Sequence, residues 1–179
     1  MLTIWLKKWH NVYAMRDFKI NDSVIHFREG LATIFSMKKM NGREYFLLRI
    51  NKNNGETIYV PTASADSIIR AIMSTEEADE LLRYIKTIEK EFNVNTKQRR
   101  DDYKRKLSSG SVKEIACLYR QLQHYYQIGG EENDEIKLGP VDFDMLNYAH
   151  NMLMDELSFS YNQPRDEIEK FVENRLEEL

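Results

Sequence analysis

Cys117 is the only thiol in this 179-residue chain. One cysteine excludes an intrachain disulfide framework and a cysteine-based zinc site, and it fits a reducing cytoplasm. No apolar run approaches the roughly 18 residues that a membrane span needs. The first fifteen residues, MLTIWLKKWHNVYAM, carry lysines in their middle and no small-residue cleavage site, so they do not read as a signal peptide. They read as an extension ahead of a second start at Met15, with an interfacial anchor on Ile4, Trp5 and Trp9 as the alternative. Catalytic signatures are missing as well. There is no phosphate-binding glycine loop, no dinucleotide turn, no HExxH and no nucleophile elbow. His10, His26, His124 and His150 are scattered, with no pair at ligand spacing. The acidic pairs Asp101-Asp102, Asp142/Asp144 and Asp155-Glu156 suit helix capping and solvated faces better than metal or acid–base work, and the run from Glu131 to Glu135 lacks the spacing of a calcium loop. The chain is read as a non-enzyme, with no cofactor and no metal.

What is present is a soluble globular composition, 42% hydrophobic and 31% charged, with a net charge of -3. The charge is unevenly spread. Residues 1–91 carry 14 basic and 12 acidic side chains, residues 92–126 carry 8 and 3, and residues 127–179 carry 4 and 14. A basic segment inside an acidic protein fits either a polyanion contact or a solvated helix face.

The first half has the pattern of strands. Phe18, Ile20, Val24, Ile25 and Phe27 precede Gly30, and Leu31, Ile34 and Phe35 follow it. Asn41-Gly42 then separates this run from Tyr45–Ile50, and Asn54-Gly55 separates that from Thr57–Val60. Asn-Gly suits type I′ hairpins, whose two central residues both need positive φ. The pattern predicts a small antiparallel sheet, stopped at Pro61, which has no amide proton for the ladder.

Beyond residue 74 the period becomes helical. Ser74 and Glu77 form a capping box ahead of Ala78, Leu81, Leu82, Ile85 and Ile88. Residues 93–96 read as a connector, and 97–108 as a mostly charged helix with only Tyr103 and Leu107 facing inward. Ser111 and Glu114 open a further helix, with Val112, Ile115, Ala116, Tyr119, Leu122 and Tyr126 inside. Residues 127–140, with Gly129-Gly130 and Gly139-Pro140, read as a flexible loop. The next helix carries Met145, Leu146, Ala149, Met152, Leu153 and Leu157 inward, and the last, begun near Pro164, carries Ile168, Phe171, Val172 and Leu176. The fold class is α+β. An extension (1–15) and a β module (16–74) precede an all-α bundle of about five helices (75–179).

One constellation remains that can carry function: Lys97, Arg99, Arg100, Lys104, Arg105 and Lys106, with Lys113 and Arg120 on the next helix. Several cations on a face that the core does not need are suited to phosphate, because they displace condensed counterions.

Taken in order, these segments resemble the CarD/CdnL family of bacterial transcription regulators. Phe18-Lys19-Ile20-Asn21-Asp22 is similar to that family's Phe-Lys-Val-Gly-Asp opening. Glu44-Tyr45-Phe46-Leu47-Leu48 is similar to its EYYVL strand, Val60-Pro61 to its strand end, and Ile69–Ser74 to its GLRPVIS connector. Arg99-Arg100 followed by Leu107–Gly110, then Ile115-Ala116 with Tyr119–Leu122, then Ala149–Leu157, continue the likeness through the helical half. The resemblance implies a Tudor-like domain that pairs an edge strand with the RNA polymerase β subunit, a form of strand addition. It also implies a helical domain on promoter DNA at the upstream edge of the −10 element, where an apolar wedge in the minor groove modulates open-complex stability. No small-molecule substrate or membrane is implied, and the location is cytoplasmic, on the nucleoid through polymerase. A polymerase-docking adaptor without DNA binding is the alternative.

Three features depart from the family pattern, one of them Tyr59 on the docking strand, where some relatives carry arginine. The family's tryptophan aligns near Thr96, and no tryptophan lies beyond Trp9. Its YPxHGVG turn is here His26–Ala32, with Gly30 kept. The resemblance assigns Thr57 and Tyr59 to the polymerase, alternating with core-facing Ile58 and Val60, with Arg49, Lys38 and Lys39 as neighbours. On the DNA side it assigns Arg99 and the Thr96 position, while Lys97, Arg100, Lys104 and Arg105 are assigned from charge.

Overall fold

The computed structural model describes residues 17–50, 56–89, 95–128 and 138–179, and the chain divides into two units between Ala71 and Ile72. The extension 1–15, the Asn54-Gly55 turn, residues 93–94 of the connector, and Gly129-Gly130 with the acidic run after it lie outside the described residues.

The first unit is an antiparallel sheet of β1 (Ser23–His26), β2 (Gly30–Met40), β3 (Arg43–Ile50), β4 (Thr57–Pro61) and β5 (Ile69–Ala71), in the order β4-β3-β2-β1-β5. Alternation along the strands puts Val24, Ala32, Ile34, Phe46, Leu48, Ile50, Val60 and Ile69 into one core, with Ala65 of the 3-10 helix Thr62–Ser67. Asn41 and Gly42 join β2 to β3 with φ of 49° and 76°, the positive pair that a type I′ turn requires.

Three features differ from expectation. β1 is shorter than its apolar run. Phe18 lies before it and meets Phe46 edge-on at 6.2 Å, while Ile20 is exposed. Ile69–Ala71, read as connector, pairs with β1 as a fifth strand too short to show a period. A bulge in β2 shifts the register between Ile34 and Ser36, so that Ile34 faces Leu48 but Ser36 faces Leu47.

At the β1–β2 turn, His26 is buried and its Nδ1 accepts the amides of Arg28 (3.3 Å) and Glu29 (3.2 Å). That requires an unprotonated Nδ1.

The second unit holds α1 (Thr75–Thr87), α2 (Thr96–Ser108), α3 (Val112–Ile128), α4 (Pro140–Ser160) and α5 (Ile168–Glu178). The capping box of α1 is present, with Ser74 N donating to Glu77 at 2.8 Å and Glu77 N to the Ser74 hydroxyl at 3.2 Å. α4 is the central helix, buried on every side from Met152 to Ser158. Asp79 of α1 receives Arg175 of α5 at 2.6 and 3.0 Å and the Tyr161 hydroxyl at 2.6 Å, tying three segments together.

The inward face of α3 is turned from the expected one. Leu118 and Tyr125 are buried with Ile115, Ala116 and Leu122, whereas Tyr119 is half-buried and Tyr126 exposed, its ring edge-on to Phe143. After Leu122 the spacing continues by three residues rather than four. Gly139 and Pro140 belong to the start of α4, not to a loop, and Pro164 precedes a turn before α5.

Burial holds the His26 pKa below the ordinary 6.5, against an opposing pull from Glu29 and with a further lowering by Arg28. The unfolded chain therefore takes up this proton at higher pH than the folded one. Stability from the turn is complete above 6.5 and is lost as pH falls through the lower folded value. Urea midpoints at neutral pH and at pH 5 are expected to differ, and His26→Asn, which keeps an acceptor that cannot titrate, should narrow that difference.

Candidate functional site

The first candidate surface lies on the sheet. β4 pairs only with β3, so its other edge presents backbone groups that no described strand takes up. Thr57 faces Arg49 across the pair and Tyr59 faces Leu47, which puts Thr57, Tyr59 and Arg49 on the outer face. Val60 is buried and Ile58 packs against the core from the inner face. Tyr59 is 46% exposed, and the Arg49 guanidinium lies 4.9 Å over the Phe35 ring.

Lys38 and Lys39 stand further away. They lie on β2, separated from β4 by the whole of β3, opposite Tyr45 and Glu44 near the Asn41-Gly42 turn. Lys38 shares the outer face with Tyr45, whereas Lys39 points to the other face. The structure therefore brings Thr57, Tyr59 and Arg49 together and leaves the two lysines apart.

The second candidate surface is α2. Asn95 caps it, its side chain accepting the amides of Lys97 and Gln98 at 3.1 Å each. At about 100° per residue, Lys97, Arg100 and Lys104 fall within roughly 60° of one another. All three are exposed, as is Thr96 at the first helical position. Lys97 and Arg100 have no carboxylate partner among the described residues, and Lys104 has only a loose one in Asp101 at 4.0 Å.

The remaining basic side chains of α2 are engaged. Arg105 pairs with Asp102 at 2.8 Å and Glu114 at 3.5 Å. Lys106, expected outside, is buried and reaches Asp102 and Gln121, each at 2.8 Å.

Arg99 departs furthest from its expected place. It is 6% exposed, and its Nε and Nη2 donate to Asp142 Oδ1 and Oδ2 of α4, both at 2.9 Å. The Tyr103 hydroxyl adds a bond to Oδ1 at 2.7 Å and the Gly139 amide one to Oδ2 at 2.8 Å. Burial alone would raise the Asp142 pKa, but the Arg99 guanidinium, the Gly139 amide and the Tyr103 hydroxyl together hold it below the ordinary 3.8. Burial and the neighbouring carboxylate push Tyr103 upward. Arg99 is thus spent on the interior. Asp142 was legible only as a capping residue, because nothing in its neighbourhood names a partner 43 positions earlier.

Among the described residues, no group of three or more His, Cys, Asp or Glu side chains could hold a metal ion, and no helix is long and apolar enough to cross a membrane. The arrangement offers an open strand edge and a short row of exposed cations.

Two protein-family models match the chain. Residues 18–73 match the CarD-like/TRCF RID domain and residues 80–173 match the CarD C-terminal domain.

Removing Arg99 should be costly, since it strands a buried carboxylate. Arg99→Ala is expected to destabilise the helical unit by about 3–5 kcal/mol, read as a lowered urea midpoint. The lowered Asp142 pKa adds an acid dependence: its stabilisation is present above 3.8 and is lost as pH falls through the folded value.

Proposed function

The chain belongs to the CarD family, and from that premise we propose that it docks on the RNA polymerase β subunit through β4 and contacts promoter DNA near the −10 element through α2. Its two matched domains are those of a transcription-associated, polymerase-binding protein, in a family whose members are not enzymes. The observation that carries the docking half is the open edge of β4 in the matched RID domain. Strand addition draws affinity from main-chain hydrogen bonds and specificity from alternate side chains.

Pro61 supports the same edge. It lies opposite Tyr45 and has no N–H, so it suits a position whose amide would point away from β3. By antiparallel alternation the amides of Tyr59 and Thr57 then point to the open side too. Thr57, Tyr59 and Arg49 are the proposed contact residues, with Lys38 at the margin of the same face. The β module is proposed as Tudor-like.

The DNA half rests on fewer groups than charge counting suggested. Lys97, Arg100 and Lys104 are the proposed phosphate contacts, and the family's tryptophan aligns near Thr96. Arg105 is largely neutralised by two carboxylates. A factor that holds the open complex better than the closed one shifts that equilibrium by its differential affinity and by no more. Internal pairing of Arg105 and Lys106 favours the second reading, an adaptor that docks on polymerase and does not touch DNA.

Two measurements test this. RNA polymerase should be captured from bacterial lysate by the intact protein and lost with a folded Thr57→Glu/Tyr59→Glu variant. Equal capture by both would remove β4 as the docking edge. For DNA, three phosphate contacts predict a slope of log K against log salt near −3, at about −0.9 per contact. The slope should shrink by about one with each of Lys97→Ala and Arg100→Ala. Absence of binding at low salt leaves the adaptor.

A further inference from the structure

We propose that Asp142 is a positioning residue for the DNA-contacting face of α2, acting through Arg99 and Tyr103, and that Arg99 itself does not touch DNA. The proposal rests on the reading of α2 as a phosphate-contacting helix. It starts from how little else holds that helix. Its buried residues are Arg99, Tyr103 and Lys106, with no buried aliphatic side chain among them. Two of the three converge on the Asp142 carboxylate, which is itself 3% exposed.

Geometry links this anchor to the exposed face. Arg99 lies between Gln98 and Arg100, and Tyr103 lies beside Lys104. Locking Arg99 and Tyr103 therefore fixes both the rotation of α2 about its axis and the height of its first two turns. Lys97, Arg100 and Lys104 are presented together only in that rotation. Asp142 is held in turn, because the same carboxylate accepts the Gly139 amide at the start of α4. The capped start of α4 therefore supports the anchor.

Loss of the anchor has a distinct signature. If α2 is correctly placed only part of the time, the apparent affinity falls by that fraction. The contacts made in the competent state are unchanged, so the salt slope stays the same. A lost phosphate ligand lowers affinity and flattens the slope together.

The test uses the full chain and a fluorescently labelled promoter DNA with a pre-melted −10 element, titrated at several salt concentrations. Asp142→Asn is expected to weaken binding about tenfold, in proportion to the lost competent fraction, with the slope unchanged. Should that variant fail to fold, Arg99→Met/Tyr103→Phe/Asp142→Leu carries the test, since exchanging a whole buried polar set for apolar side chains preserves stability where removing one member does not. The triple variant keeps the packing but loses the directional bonds, so it is expected to bind about tenfold more weakly than the parent, with the parent's slope. Parent-like affinity in the folded triple variant overturns the proposal. A folded triple variant whose slope drops by one unit would make Arg99 a phosphate ligand and overturn the proposal. Unchanged affinity in a folded Asp142→Asn protein overturns it too. An inert Lys97→Ala/Arg100→Ala variant would instead remove the reading of α2 beneath it.

Discussion

The Asp142 carboxylate accepts four hydrogen bonds, two from Arg99 and one each from Tyr103 and the Gly139 amide, and the placement of α2 in the helical unit depends on them. A buried carboxylate is costly unless its lone pairs are satisfied, and here both oxygens are doubly occupied. The need follows from composition. A helix reading TKQRRDDYKRKLS has too little apolar surface to be held by the hydrophobic effect alone. Polar geometry takes over that role: Arg99 and Tyr103 fix one end, while Lys106, bonded to Gln121 of α3, fixes the other. The consequence for function is subtraction, since each cation used inside is unavailable outside.

In the sheet the governing constraint is an edge. An open edge invites indiscriminate pairing, and proteins limit it with short strands, proline and bulges. β5 is three residues long, and β4 is five residues ended by Pro61. The result is an edge long enough for a few main-chain hydrogen bonds and too short to template aggregation. On the proposed docking, selectivity would fall to Thr57, Tyr59 and Arg49, whose guanidinium lies over the Phe35 ring. The β2 bulge places Phe35 outside the strict alternation, where its ring meets that guanidinium.

Local chemistry was legible and long-range partnership was not. The Asn41-Gly42 turn, the Ser74–Glu77 capping box and the inner-face pattern of Ile58 and Val60 each depend on residues within a few positions, so the α+β division could be read directly. The rotation of α3 was missed because Tyr125 and Tyr126 are equally suited to an inward face, and the choice lies with the helices packed against them. β5 was missed because three residues cannot display a period. Arg99 was assigned to DNA through the family resemblance, and its pairing with Asp142, 43 positions away, leaves no local sign in the sequence. Four of the six cations are exposed, as their charge suggested, yet which of them lack a close carboxylate depends on pairing both within the helix, to Asp102, and beyond it, to Asp142 and Glu114.

On the proposed reading, so small a row of cations is no defect. Three exposed cations of α2 without a close carboxylate, on a chain of net charge -3, support only weak, salt-sensitive DNA binding. A protein tethered to polymerase by a strand edge meets the promoter as an intramolecular partner, at an effective concentration set by the tether rather than by its abundance in the cell. Weak contact then suffices to bias an equilibrium that is already close to balance. Strong free DNA binding would be a liability, because it would hold the protein on the large excess of non-specific sites and away from polymerase. Pairing Arg99, Arg105 and Lys106 within the chain, and carrying an acidic stretch over residues 127–179, both work in that direction: affinity comes from docking, and DNA supplies only the increment that distinguishes one promoter state from another.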